Sequence, residues 1–188
     1  MKINLPTKIT LSRILAVPLI VVLFYVSFPF HYLAAAIVFV LAAATDMVDG
    51  LLARKRNEVT PLGKVLDPIA DKILACFVMI MEAASGNMMF FYPCGVILSM
   101  VIVGREILIG AFRTLAAHKG AILAADKLGK LKTILLNVSL PIIMVGSAHI
   151  VIQSIGNVIF ALAALFTVIS GVNYVVKNKH IFTEGGTK

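Results

Sequence analysis

Apolar residues in this chain gather into runs rather than alternating with polar ones. The stretch at 14–26, ILAVPLIVVLFYV, contains no charge and no period-two pattern, so it reads as a helix in apolar surroundings and not as a half-buried strand. Five further stretches share this character, with candidate spans at about 12–29, 32–54, 65–85, 93–117, 131–152 and 155–176. Each is near the ~20 residues that carry a helix across a ~30 Å hydrocarbon core. The pattern predicts an all-α integral membrane protein with six transmembrane helices. One domain is expected over 1–188: a short interfacial arm at 1–11, the bundle at 12–176 and a tail at 177–188. Thr7 or Thr10 is the expected start of the first helix, and Thr60 before Pro61 reads as a cap and first-turn proline that open the third. Pro18 and Pro141 fall inside spans, where neighbouring helices can satisfy the carbonyl that a proline frees.

Charge orients these spans. Hydrophobic residues make up 60% of the chain and charged ones 14%, against about 25% charged in soluble domains. The first, third and fifth connections contain no Lys or Arg, whereas the amino-terminal region (Lys2, Lys8 and Arg13), the second and fourth connections and the tail hold the basic residues. By the positive-inside rule both termini face the cytoplasm, in the cell membrane. The net charge of +8 is thus a topology signal, and it also suits anionic lipid head groups. Nucleic acid is excluded as a partner: no basic and aromatic array stands outside the spans, and Trp is absent. The first run is too long for a signal-peptide core. Cys76 and Cys94 imply no disulfide framework, and His31, His118, His149 and His180 are scattered as interfacial residues.

Against that apolar background, Asp46, Asp49, Asp67 and Asp71 are four of only nine acids. A carboxylate near the bilayer centre costs about 2.5–3.5 kcal/mol on insertion scales, so four together call for compensating charge. The pairs are spaced three and four residues apart, which puts each pair on one face of its helix. A short connection then folds the two helices into a hairpin, bringing all four acids to similar depth at the cytoplasmic side. Carboxylate oxygens with no His or Cys in register suit hard cations, Mg²⁺ or Mn²⁺. Two such ions about 3.5–4 Å apart clamp an in-line displacement at phosphorus. Gly50, Ala53 and Gly63 line the neighbouring cleft with little or no side chain, and Arg54 adds a forked donor for phosphate oxygens. Pairing of the acids with Arg54, Lys64 and Lys72 is the plain alternative, and it leaves Gly50 and Gly63 unexplained. A divalent-cation transporter is the alternative of another class; it requires acids spread through the membrane depth, and here Glu82 is the sole acid of the outer halves.

The stretch D46-M-V-D49-G50-L-L-A53-R54, eight residues, then G63-K-V-L-D67-P-I-A-D71 resembles the signature of the CDP-alcohol phosphatidyltransferase family, D-x-x-D-G-x-x-A-R-x8-G-x-x-x-D-x-x-x-D, at all eight defining positions. The resemblance implies a six-helix membrane enzyme, usually a homodimer, with a cytoplasmic site holding two divalent cations. Carried over, Asp46, Asp49, Asp67 and Asp71 are the metal ligands, and Asp71 is also the general base toward the attacking alcohol. Asp49, Gly50, Ala53, Arg54, Gly63 and Asp67 are the implied contacts to CDP-diacylglycerol. The alcohol attacks the phosphorus that bears diacylglycerol, and CMP leaves.

A second polar cluster decides the acceptor. Arg105 and Arg113 lie eight apart in the fourth span, Glu106 neighbours the first, and Lys130, Lys132 and Thr133 follow near the start of the fifth. Arginines that Glu106 cannot all neutralise favour a phosphorylated alcohol, although snorkelling to the inner surface remains a plain reading of both. LDPIADK at 66–72, REI at 105–107 and GKLKT at 129–133 resemble the family members whose acceptor is sn-glycerol 3-phosphate and whose product is phosphatidylglycerol phosphate. Leu136 departs from the Gln frequent there. Members that use phosphatidylglycerol, as cardiolipin synthases do, share much of the LDPIADK region; inositol phosphate or serine are the other acceptors.

Overall fold

The computed structural model describes residues 5–56, 61–88, 93–118 and 127–178, with only the backbone considered at 5–10, 46–56, 61–68, 71, 117, 118 and 127. Among the described residues six α-helices follow one another: α1 Leu5–Tyr25, α2 His31–Arg56, α3 Pro61–Ala84, α4 Cys94–His118, α5 Lys127–Gly146 and α6 Ile150–Asn178. There is no strand among the described residues. Three helices are long and apolar enough to cross a membrane, over Cys94–Ala116, Leu128–Gly146 and Ile150–Asn178, while Leu11–Tyr25 and His31–Thr45 are shorter apolar stretches. Large apolar side chains stand on the outside, among them Leu15, Met100, Ile107 and Ile150 at 67–73% exposure. In water such a surface would aggregate; it is the outer face of a membrane protein.

The core is built where helical spacing brings apolar side chains to one face. On α1, Val17, Ile20 and Phe24 are buried at spacings of three and four, and they pack with Ala35, Ala36 and Phe39 of α2 and Leu74 and Val78 of α3. The alanines let α1 and α2 approach closely, which matters in lipid because apolar burial gives little drive there and close packing must supply it. α5 and α6 form the tightest pair, α4 packs on α3 and α6, and α2 and α3 each touch α5.

The helix bounds differ from the sequence expectation in physically interpretable ways. α1 is already helical at Leu5, the first described residue, ahead of Thr7, and Pro6 is tolerated in a first turn because it has no amide proton to lose there. It ends at Tyr25, ahead of Pro29; Phe30 then takes a left-handed φ of 64°, and the His31 ring nitrogen Nδ1 meets the Phe24 carbonyl at 2.9 Å. α3 is helical from Pro61, the first described residue there, and the expected cap Thr60 lies outside the described residues. The largest shift is between the last two helices: the break falls at 147–149 and not near 153. Gly146 explains it. A Cβ there would stand 2.4 Å from the Gln153 backbone nitrogen, so only glycine lets α6 fold back so tightly.

At this same end a polar clasp ties α3 to α6. The Asn87 side-chain amide donates to Glu82 Oε2 at 3.0 Å, Gln153 donates to Asn87 Oδ1 at 3.4 Å, and Asn157 donates to the Asn87 carbonyl at 3.1 Å. Buried Ser99 and Ser139 bond back to carbonyls of their own helices, Gly95 and Leu136. Replacing Gly146 with Ala forces its new methyl group against a backbone nitrogen, and overpacking of this kind costs about 1–3 kcal/mol. Gly146→Ala is therefore expected to unfold at lower temperature than the parent protein in the same detergent, followed by circular dichroism; an unchanged midpoint would refute the tight α5–α6 turn.

Candidate active site

The aspartate hairpin is legible in the backbone. Asp46, Asp49, Gly50, Ala53 and Arg54 lie in the last turns of α2, and Gly63, Asp67 and Asp71 in the first turns of α3. α2 and α3 are joined at 57–60 and pack on each other, so these segments share one end of the bundle, opposite the clasp. The helix is unbroken through 46–56 and through 61–71, which preserves the one-face spacing of each carboxylate pair. The side chains of all eight residues lie outside the described ones. The donor set suits a hard divalent cation: four carboxylates on two adjacent helices, with the nearest thiol, Cys76, more than a helical turn beyond Asp71.

The second polar cluster joins four helices. Glu106 of α4 is its centre. Its Oε1 accepts from Arg105 Nη1 at 3.1 Å and pairs with Lys132 Nζ of α5. Its backbone carbonyl accepts from Lys72 Nζ of α3 at 3.1 Å, and Arg105 Nη2 donates to Ser170 Oγ of α6 at 3.0 Å. Lys132 is buried at 7% exposure. Two glycines make room for this cluster: a Cβ at Gly110 would meet Lys72 Nζ at 2.9 Å, and one at Gly171 would meet Arg105 Cγ at 3.1 Å.

Arg113 also turns toward α6, its guanidinium carbon 5.5 Å from the centre of the Tyr174 ring, in cation–π range. The Tyr174 hydroxyl is buried with no hydrogen-bond partner in the structure. Both arginines singled out in α4 therefore reach residues one turn apart on α6. Lys132 joins Arg105, but Lys130 does not: two helical positions rotate the side chain by roughly 200°, and Lys130 is exposed. Thr133 donates to its own helix, at the Gly129 carbonyl 3.1 Å away. Leu136 packs against the hydrophobic core.

Arg13 was counted in the sequence as a topology charge, and the structure places it differently. It is 1% exposed and ranks among the largest fully buried side chains, on the α1 face that continues Val17, Ile20 and Phe24. Helix α1 packs on α2 and α3, the two aspartate-bearing helices. Tyr25 meets Ser85 at 3.2 Å at the clasp end; counting back at about 1.5 Å per residue puts Arg13 level with the region of Ile73 on α3, beside Asp71. The available signal was its phase: Arg13 falls at four, seven and eleven residues before the buried positions of its helix. Ser170, Gly171 and Tyr174 were also not singled out, because nothing in a local pattern links α6 to α4.

Comparison with known proteins agrees with this geometry. The CDP-alcohol phosphatidyltransferase family matches residues 3–169. A Rickettsia bellii protein named CDP-diacylglycerol–glycerol-3-phosphate 3-phosphatidyltransferase is 38% identical over 95% of this chain and 97% of its own. Proteins of the same name from Bacillus subtilis and Salmonella choleraesuis are 35% and 34% identical, each over 93% of this chain and 95% and 94% of their own. With a family match over nearly its whole length and an aspartate hairpin in the matching helices, this chain belongs to the CDP-alcohol phosphatidyltransferase family.

Proposed function

We propose that this protein transfers the phosphatidyl group of CDP-diacylglycerol to sn-glycerol 3-phosphate, giving phosphatidylglycerol phosphate and CMP. The observation that carries the acceptor is the convergence of Arg105 and Lys132, from two helices, on one carboxylate oxygen. A buried and a partly buried cation at one point suit a phosphate, whose oxygens can take both. The names of the full-length relatives support the same reaction.

In this reading Asp49, Gly50, Ala53, Arg54, Gly63 and Asp67 hold the cytidine diphosphate portion of the donor, the glycines and alanine leaving room for it beside the backbone. Arg105, Arg113 and Lys132 serve the acceptor's phosphate, whereas Lys130 and Thr133, grouped with them in the sequence, face elsewhere. Asp71 takes the proton of the attacking hydroxyl; the oxygen bonds to the phosphorus bearing diacylglycerol, and the bond from that phosphorus to the CMP oxygen breaks. Asp46, Asp49, Asp67 and Asp71 would hold two divalent cations, Mg²⁺ or Mn²⁺, which when bound would supply positive charge to the diphosphate. All six helices span the cell membrane with both termini cytoplasmic and the aspartate end at the cytoplasmic face, as the distribution of basic residues supports. The chain forms one domain, working as a homodimer.

Purified protein in detergent is expected to release CMP from CDP-diacylglycerol when glycerol 3-phosphate and Mg²⁺ or Mn²⁺ are both present, and to stop when the metal is chelated. Phosphatidylglycerol, serine and inositol phosphate assayed in parallel identify the acceptor; turnover with one of these and none with glycerol 3-phosphate would overturn the assignment. Asp71→Asn should lower turnover by about 10²–10⁴, the range that general-base loss produces, while Mn²⁺ binding persists. Gly171→Leu pushes against the Arg105 stem, and displacing a positioning group by about 1 Å can cost on the order of 10²-fold; CMP release should fall accordingly with α-helical content retained.

A further inference from the structure

We propose that Glu106 is a positioning residue for the acceptor: its carboxylate holds Arg105 and Lys132 side by side as a preformed cradle for the acceptor's phosphate. The inference rests on the proposed reaction with a phosphorylated alcohol and adds a residue to it that touches neither substrate.

Two observations carry it. The first is convergence on a single atom. Arg105 Nη1 and Lys132 Nζ, from α4 and α5, both meet Glu106 Oε1. Two cations in apolar surroundings repel each other, and an anion between them is what allows them to stay close. With no carboxylate there, the contact that α4 and α5 share through Oε1 is lost.

The second is that the cluster around the carboxylate is tied to two further helices. The Glu106 backbone carbonyl accepts from Lys72 of α3, the residue after Asp71. Arg105 is fixed from its other side by Ser170 of α6 and lies against the bare backbone at Gly171. Glu106 therefore ties the phosphate cradle to the helix that carries the proposed base, so the distance between phosphate and reacting hydroxyl is set by α3, α4, α5 and α6 together.

The experiment compares the parent protein with Glu106→Gln, Glu106→Asp, Lys132→Gln and the double variant Glu106→Gln/Lys132→Gln in the same lipid–detergent micelles, measuring CMP release over a range of both substrates. Turnover by the parent protein with glycerol 3-phosphate tests the reaction itself, independently of the variants. Given that turnover, Glu106→Gln should raise KM for glycerol 3-phosphate by about tenfold or more with KM for CDP-diacylglycerol little changed. Glu106→Asp should recover part of the loss, which a purely structural role would not predict. If Glu106 acts through Lys132, the double variant should be little worse than Lys132→Gln alone, the non-additivity of groups that work as one. An unchanged KM for glycerol 3-phosphate in Glu106→Gln, or additive losses in the double variant, would overturn the proposal. If Glu106→Gln does not fold, a parental KM for glycerol 3-phosphate in Glu106→Asp together with parental KM in Lys132→Gln overturns it as well.

Discussion

A charge inside a bundle of apolar helices has no water to hold it, so it must find its counterpart within the protein or in a ligand. The Glu106 carboxylate with Arg105 and Lys132 is where this chain meets that constraint most directly. Because the partners come from different helices, satisfying the charges also fixes how α4 and α5 sit, and Lys72 and Ser170 extend the same tie to α3 and α6. In a soluble protein these side chains could turn outward into solvent. Here the electrostatics and the helix arrangement constrain one another.

Small residues make that arrangement possible. Gly110 and Gly171 leave space for the Lys72 ammonium and the Arg105 stem, and Gly146 and Gly156 let α5 and α6 touch along their backbones. The bundle thus uses glycine for two purposes: dense packing at one end, and room for cationic side chains nearer the other. The two ends differ in chemistry as well. The clasp around Asn87 is composed mainly of amides and holds loops together. The opposite end concentrates carboxylates and cations in a form suited to a charged substrate.

Much of this was readable from the chain. The runs of apolar residues located six helices, and the interval from Asp46 to Asp71 located the family and the helices that carry the acids. Arg105 and Lys132 were recognised as one cluster, and the structure brings them together. Lys130 and Thr133 were grouped with them by proximity in the chain, yet helix rotation turns Lys130 outward and Thr133 back onto its own backbone. Arg13 was grouped with the topology charges although its phase matches the buried face of α1. The α5–α6 break was displaced because apolar residues continue through 150–152 without a polar interruption, and only the backbone contact at Gly146 shows where the chain turns.

The sequence by itself determined the number and approximate extent of the helices, the acid-bearing hairpin and the reaction class, because each depends on short-range periodicity or on spacing within one hairpin. Tertiary structure alone decided which cation meets which anion. Ser170 lies 65 residues from Arg105, and Lys72 lies 34 from Glu106, separations over which no local pattern carries information. Which of several lysines and arginines becomes buried is settled by helix phase and packing, and the polar cluster around Glu106 exists only once four helices have closed around it.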